Sequence, residues 1–362
     1  MKNMPHPSTV VKQEYTAILR KYAAEAETKG MLLPQQLDVI YHEQWFKLLV
    51  PAVYGGLEVT LPDLIRLQEA VSWADGSVGW VLTLCCGAGW FGGFISPDIA
   101  REVFKNPHVC LAGSGASNGE AEITANGYRI SGTWKHASGA HHATHFTANC
   151  LIKKDGKQLL NDDGEPLVLP FIMDQKDVAL LQTWKYVGMV ATGSQSFQVK
   201  DVEVPASRCF KIDPKYAHVN GRLYQYPFLQ LAEATLAVNL SGMAIHFVDL
   251  CRDVFRERKL QPRLTENNKA KLEQILKDTI AGLQSARNVF FAAVDASWPN
   301  AGDAELKAVS KTSRHLAITA REAVDQLYPY CGLIAASPDT EINRVWRDIH
   351  TAGQHALLTF AE

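Results

Sequence analysis

The pattern of apolar and polar positions changes period twice along the chain. In residues 10–105, Tyr15, Ile18, Leu19, Tyr22 and Ala26, then Leu37, Ile40, Tyr41 and Trp45, recur at the three- to four-residue spacing that places side chains on one face of a helix. Pro51, Gly55, Gly56 and Pro62 punctuate a loop. Leu64, Leu67, Val71 and Ala74 resume the period and run into the small, apolar stretch 79–94, predicting a buried helix pair in which Trp73, Trp80, Trp90 and Phe91 serve as core packing. Between His108 and Phe210 the period shortens to β-type runs separated by turn residues. Asn126-Gly127 ahead of Tyr128, Ile130 and Gly132 reads as a hairpin, with further strands over 144–153, 166–173 and 195–204. From Tyr226 the helical period returns. Leu229, Leu236, Leu240, Met243, Phe247, Leu250 and Val254 form one stripe, Leu272, Leu276, Ile280, Leu283, Phe290 and Val294 a second, and two more helices are predicted over 304–328 and 339–360.

This order predicts an α+β multidomain chain. An N-terminal all-α domain covers 1–107, a central antiparallel β-domain in the form of a small barrel or sandwich covers 108–212, and a C-terminal four-helix bundle covers 213–362. A length of 362 residues allows each part its own core. Hydrophobic residues at 47%, charged residues at 20% and a net charge of −2 describe an ordinary globular composition and disfavour nucleic acid as a partner. The seven cysteines show no CxxC spacing, which fits reduced, buried thiols and a cytoplasmic location. The N-terminal residues carry no apolar leader core, and the apolar stretches are interrupted before spanning length, so neither export nor membrane insertion is expected.

Four fragments, in order, resemble the acyl-CoA dehydrogenase superfamily. Val50-Pro51-Ala52-Val53-Tyr54-Gly55-Gly56 resembles its Val-Pro-x-x-x-Gly-Gly turn, and Asp75-Gly76-Ser77 its Asp-x-Ser helix start. Gly188-Met189-Val190-Ala191-Thr192-Gly193-Ser194 and Asp201-Val202-Glu203-Val204-Pro205 resemble a paired motif of its β-domain. Two further stretches are similar to the two-component flavin-dependent monooxygenase branch: Gly132-Thr133-Trp134-Lys135-His136-Ala137-Ser138-Gly139, and Arg344-Val345-Trp346-Arg347-Asp348 followed by His355. Many dehydrogenases carry a catalytic glutamate near that last position, and this chain does not.

The resemblance implies a bound flavin, FAD with FMN as the alternative, and a small-molecule substrate between β-domain and bundle. It also implies a separate flavin reductase and a homotetramer or homodimer. Trp134, His136 and Ser138 are expected against the flavin, with the Ser138 hydroxyl acting as a neutral donor near N5. Ser114 stands in the flavin-ring loop, where Gly113-Ser114-Gly115 departs from the family's Thr-Glu-Pro. Thr192, Gly193 and Ser194 are expected as small donors, and Arg258 as a contact to the pyrophosphate of a neighbouring subunit's flavin, although Phe-Gly has become Leu260-Gln261 there. The chain ends seven residues after His355, which predicts a loosely capped flavin site.

His355 is expected to share a helix face with Asp348 and to act as acid or base, since an unperturbed imidazole titrates near neutrality. His142 is expected on the substrate side of a strand. No carboxylate or cysteine accompanies the run His136, His141, His142 and His145 at metal spacing, so no metal is expected. Glu233 interrupts the apolar stripe Leu229, Leu236, Leu240, Met243. It is therefore either an ion-pair partner of Arg287 or Arg314 or the base of an acyl-CoA dehydrogenase. Reduced-flavin monooxygenation leads, with α,β-dehydrogenation of an acyl-CoA and a non-catalytic paralogue as alternatives.

Overall fold

Six helices open the chain in the computed structural model, which describes residues 3–359: α1 (Gln13–Lys21), α2 (Ala23–Lys29), α3 (Pro34–His42), α4 (Leu61–Ala74), α5 (Gly76–Gly89) and α6 (Pro97–Phe104). The predicted buried pair is α4 and α5. Thr60 Oγ1 caps the first by accepting the Asp63 N–H at 3.2 Å, and the Asp75 carboxylate caps the second by accepting the Val78 N–H at 2.9 Å. Trp90 is core packing, wedged between Phe94 and Phe228. All three indole N–H groups are also satisfied: Trp90 donates to the Leu223 carbonyl at 2.9 Å, Trp73 to Asp249 at 2.8 Å and Trp80 to Ser138 Oγ at 3.2 Å.

Seven strands follow: β1 (Leu111–Thr124), β2 (Gly127–Ala137), β3 (His145–Lys154), β4 (Lys157–Gln158), β5 (Val168–Asp174), β6 (Ala179–Leu181) and β7 (Gln195–Pro205). They form one sheet in the order β4-β3-β1-β2-β7-β6, with β5 also paired to β3. The hairpin closes at Asn126, where Thr124 faces Gly127. Antiparallel pairing holds everywhere except between β1 and β3, which run parallel. A third strand that crosses the hairpin to pair with the first must run the same way as the first. The sheet has a core of its own around Trp134, Phe146, Phe171 and Phe197. Trp134 fits because Gly119 and Gly132 face it: a Cβ added at Gly119 would lie 2.0 Å from the indole.

The short helix α7 (Arg222–Gln225) leads into α8 (Phe228–Lys259), α9 (Glu266–Ser297) and α10 (Asp303–Leu327), then α11 (Leu333–Ala336), α12 (Glu341–Ala352) and α13 (Ala356–Thr359). Nearly every residue of α8 from Leu231 to Val248 is buried, not a single stripe, because α4, α5, α10 and α12 surround it. The helix predicted over 339–360 is broken. α12 ends at Ala352 with Gly353 as its cap, where a Cβ would meet Arg321 at 2.5 Å, and Phe360 lies outside the described residues. His355 therefore sits on the link between α12 and α13, not on one helix with Asp348.

Candidate active site

Two cavities meet where the sheet, α5, α8 and the α12–α13 link converge. One, of 290 Å³, is walled by apolar and small side chains including Leu84, Phe91, Phe228, Ala232 and Leu236. The other, of 600 Å³, is more polar and aromatic, with Trp80, Lys135, His136, Trp184, Tyr186 and Ser194 on its walls. Both volumes fall near the range of small-molecule sites. Leu84, Gly113, Ser114, Gly115, Ser138 and His355 line both, so a molecule in either meets the same hydroxyl and imidazole.

Local backbone geometry aims these groups. The β2–β7 register shifts between Trp134 and Ala137, and His136 inside that bulge has φ of 65°. A bulge redirects a side chain, and a non-glycine residue at positive φ is strain that a functional site can hold. His136 Nε2 reaches Tyr186 Oη at 3.1 Å, with the Trp184 ring edge-on to it. Burial, and secondarily the Lys135 ammonium, holds the His136 imidazole below its ordinary value. His355 packs against the edge of Trp80, and its Nδ1 accepts the Leu357 N–H at 3.4 Å, which leaves Nε2 for another partner. Burial lowers its affinity for a proton, and His136 adds to that, so His355 is neutral at pH 7.

Ser138 is the polar centre. Its Oγ accepts from Trp80 Nε1 at 3.2 Å and lies 2.8 Å from Ser194 Oγ, which lies 2.7 Å from Thr192 Oγ1. The 3-10 turn carrying Thr192 is held from below by Asp348, whose carboxylate accepts the Met189 N–H. Burial, with Asp75 nearby, raises the Asp348 carboxyl to about 7.

The chain spans most of the length of the curated relatives it matches. The family described as "Acyl-CoA dehydrogenase, C-terminal domain" matches residues 234–360. A pigment production hydroxylase of Rhodococcus sp. (strain ATCC 21145) is 30% identical over 86% of this chain and 82% of its own length. The chain belongs to the flavin-dependent monooxygenase branch of the acyl-CoA dehydrogenase superfamily. The oxygenase subunit HsaA of a flavin-dependent monooxygenase from Rhodococcus jostii (strain RHA1) is 25% identical over 93% of the chain and 91% of its own. XiaF from Streptomyces sp., solved with FADH2 and glycerol, shares the fold with a TM-score of 0.84 at 22% identity, over 97% of this chain and 92% of that one.

Within this flavoprotein scaffold, the sequence-predicted residues divide. Ser138, Ser114 and His355 line both cavities, and His136 and Ser194 line the polar one. Thr192 is buried behind Ser194, and Gly193 lies under His141. Trp134 lines neither cavity. Its ring is fully buried, stacked on Phe197, with Nε1 donating to the Asn149 carbonyl at 3.0 Å, so it supports the sheet from within. His142 also lines neither, because residues 138–144 form a turn and not the strand that would have alternated their side chains. Burial pushes its imidazole down to about 4. Glu233 faces away from both cavities toward α10, where Arg314 binds it at 2.6 Å and Ser310 donates to its other oxygen. Arg287 is engaged elsewhere, in a two-pronged pair with Glu69 at 2.7 and 2.8 Å. Arg258 donates to the Tyr330 carbonyl at 2.6 Å outside both cavities. Among the described residues no cluster of three or more His, Cys, Asp or Glu side chains is placed to hold a metal ion.

Sequence reasoning missed Trp80, Trp184, Tyr186 and Lys135. Trp80 stands three residues after the Asp75-Gly76-Ser77 helix start, where an aromatic in an apolar run reads as core packing. Trp184 and Tyr186 lie on an irregular segment between β6 and β7, where no period exists to read.

The residues present fit a flavin. Gly115 lines both cavities, and a Cβ added there meets nothing within 4 Å, so the backbone leaves the space clear for a ring to lie against it. Aromatic faces and hydroxyl groups surround that space, as a flat, heteroatom-rimmed ring system requires.

Proposed function

We propose that this chain is the oxygenase component of a two-component system, in which the polar cavity takes reduced flavin, as FAD, and the apolar cavity takes a compact, largely apolar organic substrate. The single observation that carries this reading is the convergence of Ser138 and His355 on the seam between the two cavities. The flavin, once bound and reduced, would supply the electrons that activate dioxygen. The chain's own work is the rest. Ser138, backed by Ser194, and His136 hold the polar edge of the flavin, while Trp80 and Trp184 exclude water from its faces. His355, neutral at pH 7, takes or returns a proton at a hydroxyl or amine of the substrate. The walls around Phe91, Phe228 and Leu236 position the substrate by shape.

A separate flavin reductase supplies the reduced flavin, in keeping with the oxygenase-subunit role of the HsaA relative. We take the flavin as FAD with FMN as the alternative, since on this fold XiaF is solved with FADH2 and KijD3 with FMN. We assign the chain to a homotetramer or homodimer in the cytoplasm. Leu260 and Leu333 are 80% and 88% exposed beside Arg258, a surface suited to a second copy in which Arg258 meets the neighbour's flavin, and all seven cysteines are free thiols. The division at 107/108 and 212/213 follows the change from helix to strand and back. The acyl-CoA dehydrogenase alternative loses its base, since Glu233 is neutralised and turned away.

The test is turnover of a panel of small phenols and aromatic amines with NADH, a flavin reductase, FAD and 18O2. The expected result is a product carrying one heavy oxygen. Quantitative conversion of oxygen to hydrogen peroxide across the panel, at the rate of free reduced flavin, would overturn the reading.

A further inference from the structure

The hydroxyl groups behind Ser138 form a chain whose direction the structure fixes. Thr192 Oγ1 lies 2.7 Å from the Met189 carbonyl oxygen, which also accepts Trp184 Nε1 at 2.9 Å. A carbonyl only accepts, so the Thr192 proton must point at it; turned elsewhere, two lone-pair oxygens would face each other at that distance. With its single proton committed, Thr192 can only accept from Ser194, at 2.7 Å. Ser194 is then committed in turn and must accept from Ser138, at 2.8 Å. Trp80 Nε1, a pure donor, occupies one of the two lone pairs on Ser138 Oγ at 3.2 Å. What Ser138 retains for the cavity is a lone pair and no proton. Water cannot readily reset this order, because Thr192, Ser194 and Ser138 are 1%, 2% and 5% exposed. Met189, whose carbonyl ends the chain, is held through its own N–H by the Asp348 carboxylate, so α12 fixes the residue that carries the terminus.

We propose that Thr192 and Ser194, with Trp80, are positioning residues that set the Ser138 hydroxyl as an acceptor toward the cavity, so that the site selects reduced flavin over oxidised flavin. This rests on the proposed placement of flavin N5 beside Ser138, and it reverses the donor role expected from the sequence. Reduced flavin carries a proton on N5 and can donate it to Ser138; oxidised flavin presents a lone pair there and meets another. An oxygenase that receives reduced flavin from a separate protein and must release the oxidised form gains direction from that difference. Thr192→Val removes the proton sink. Ser194 is then free to donate to Ser138, whose own proton can turn to the cavity.

The experiment is anaerobic titration of the full chain with reduced FAD and, separately, with oxidised FAD, giving the ratio of the two dissociation constants. In the parent chain reduced FAD binds more tightly. In Thr192→Val the ratio falls by roughly three- to tenfold, the scale of one hydrogen bond, and in Thr192→Ser it stays at the parent value. Ser194→Ala, which removes the acceptor of the Ser138 proton, lowers the ratio in the same way and serves if the valine variant does not fold. A ratio unchanged in a folded Thr192→Val or Ser194→Ala chain overturns the relay while leaving the flavin reading intact. Failure of the parent chain to bind either form overturns both.

Discussion

Removing the guanidinium from the Glu233–Arg314 pair tests whether that carboxylate is structural. Glu233 is 2% exposed, and its charge is met by Arg314 at 2.6 Å and by the Ser310 hydroxyl. Arg314→Met leaves a buried carboxylate with a single neutral donor. Breaking a buried pair from one side costs about 3–5 kcal/mol. The Arg314 side chain is 19% exposed, so water can partly replace it, which places the loss near the lower bound, about 3 kcal/mol. Changing both residues, in Glu233→Leu with Arg314→Met, removes both charges together and is expected to return stability to within about 1 kcal/mol of the parent, because neither desolvation nor an orphaned charge remains. Denaturation by urea followed by circular dichroism measures each step. Glu233→Gln should keep reduced-flavin binding and turnover, since Glu233 lines neither cavity. A well-folded Glu233→Gln chain that has lost turnover a hundredfold would refute this reasoning and restore the carboxylate as a base; a double variant as unstable as Arg314→Met would refute the energetic part.

Four further outcomes are expected. His355→Asn lowers kcat by roughly 10²–10⁴ while leaving the Kd for reduced flavin unchanged, and an equal loss of flavin binding would remove its proton-transfer role. Because burial lowers the His355 pKa, the acid limb of kcat/KM lies below the ordinary imidazole value of 6.5, so a limb at or above that value contradicts the assignment. Ala232→Phe fills part of the 290 Å³ apolar cavity, raising KM and diverting oxygen to hydrogen peroxide with flavin affinity preserved; normal coupling would move the substrate elsewhere. His142 takes up a proton near 6.5 when unfolded but only near 4 when folded, so its share of stability is intact above 6.5 and lost as pH falls toward 4, by at most roughly 3 kcal/mol. His142→Gln should flatten that acid-side loss in unfolding experiments at pH 5 and 7.5, and an unchanged slope would show that the imidazole is not the cause.

The order of helical, β and helical regions was legible because each element signs its period in the apolar positions, and burial of those positions drives their packing. The hairpin at Asn126-Gly127 was equally local. The motifs that single out Ser138 and His355 are also local, and the fold sets both residues, with Ser114, on the walls of the two cavities. Trp134 and Ser138 sit four residues apart in one motif, yet the first is sealed in the sheet and the second opens on both cavities, because a bulge at His136 changes the strand's register between them. No sequence pattern carries a bulge of that kind.

Sequence by itself determined the fold and named the hydroxyl and imidazole, since these depend on residue type and spacing along the chain. Tertiary structure decided everything that depends on who faces whom. It gave Glu233 to Arg314 and Arg287 to Glu69, ended α12 at Gly353 so that His355 swings onto the link, and brought Trp184 and Tyr186 from an irregular loop to the cavity wall. It also decided the direction of the Ser138 hydroxyl, because a proton's orientation is set by the last acceptor in a chain of contacts between β2, α5 and the turn before β7, three segments distant in sequence.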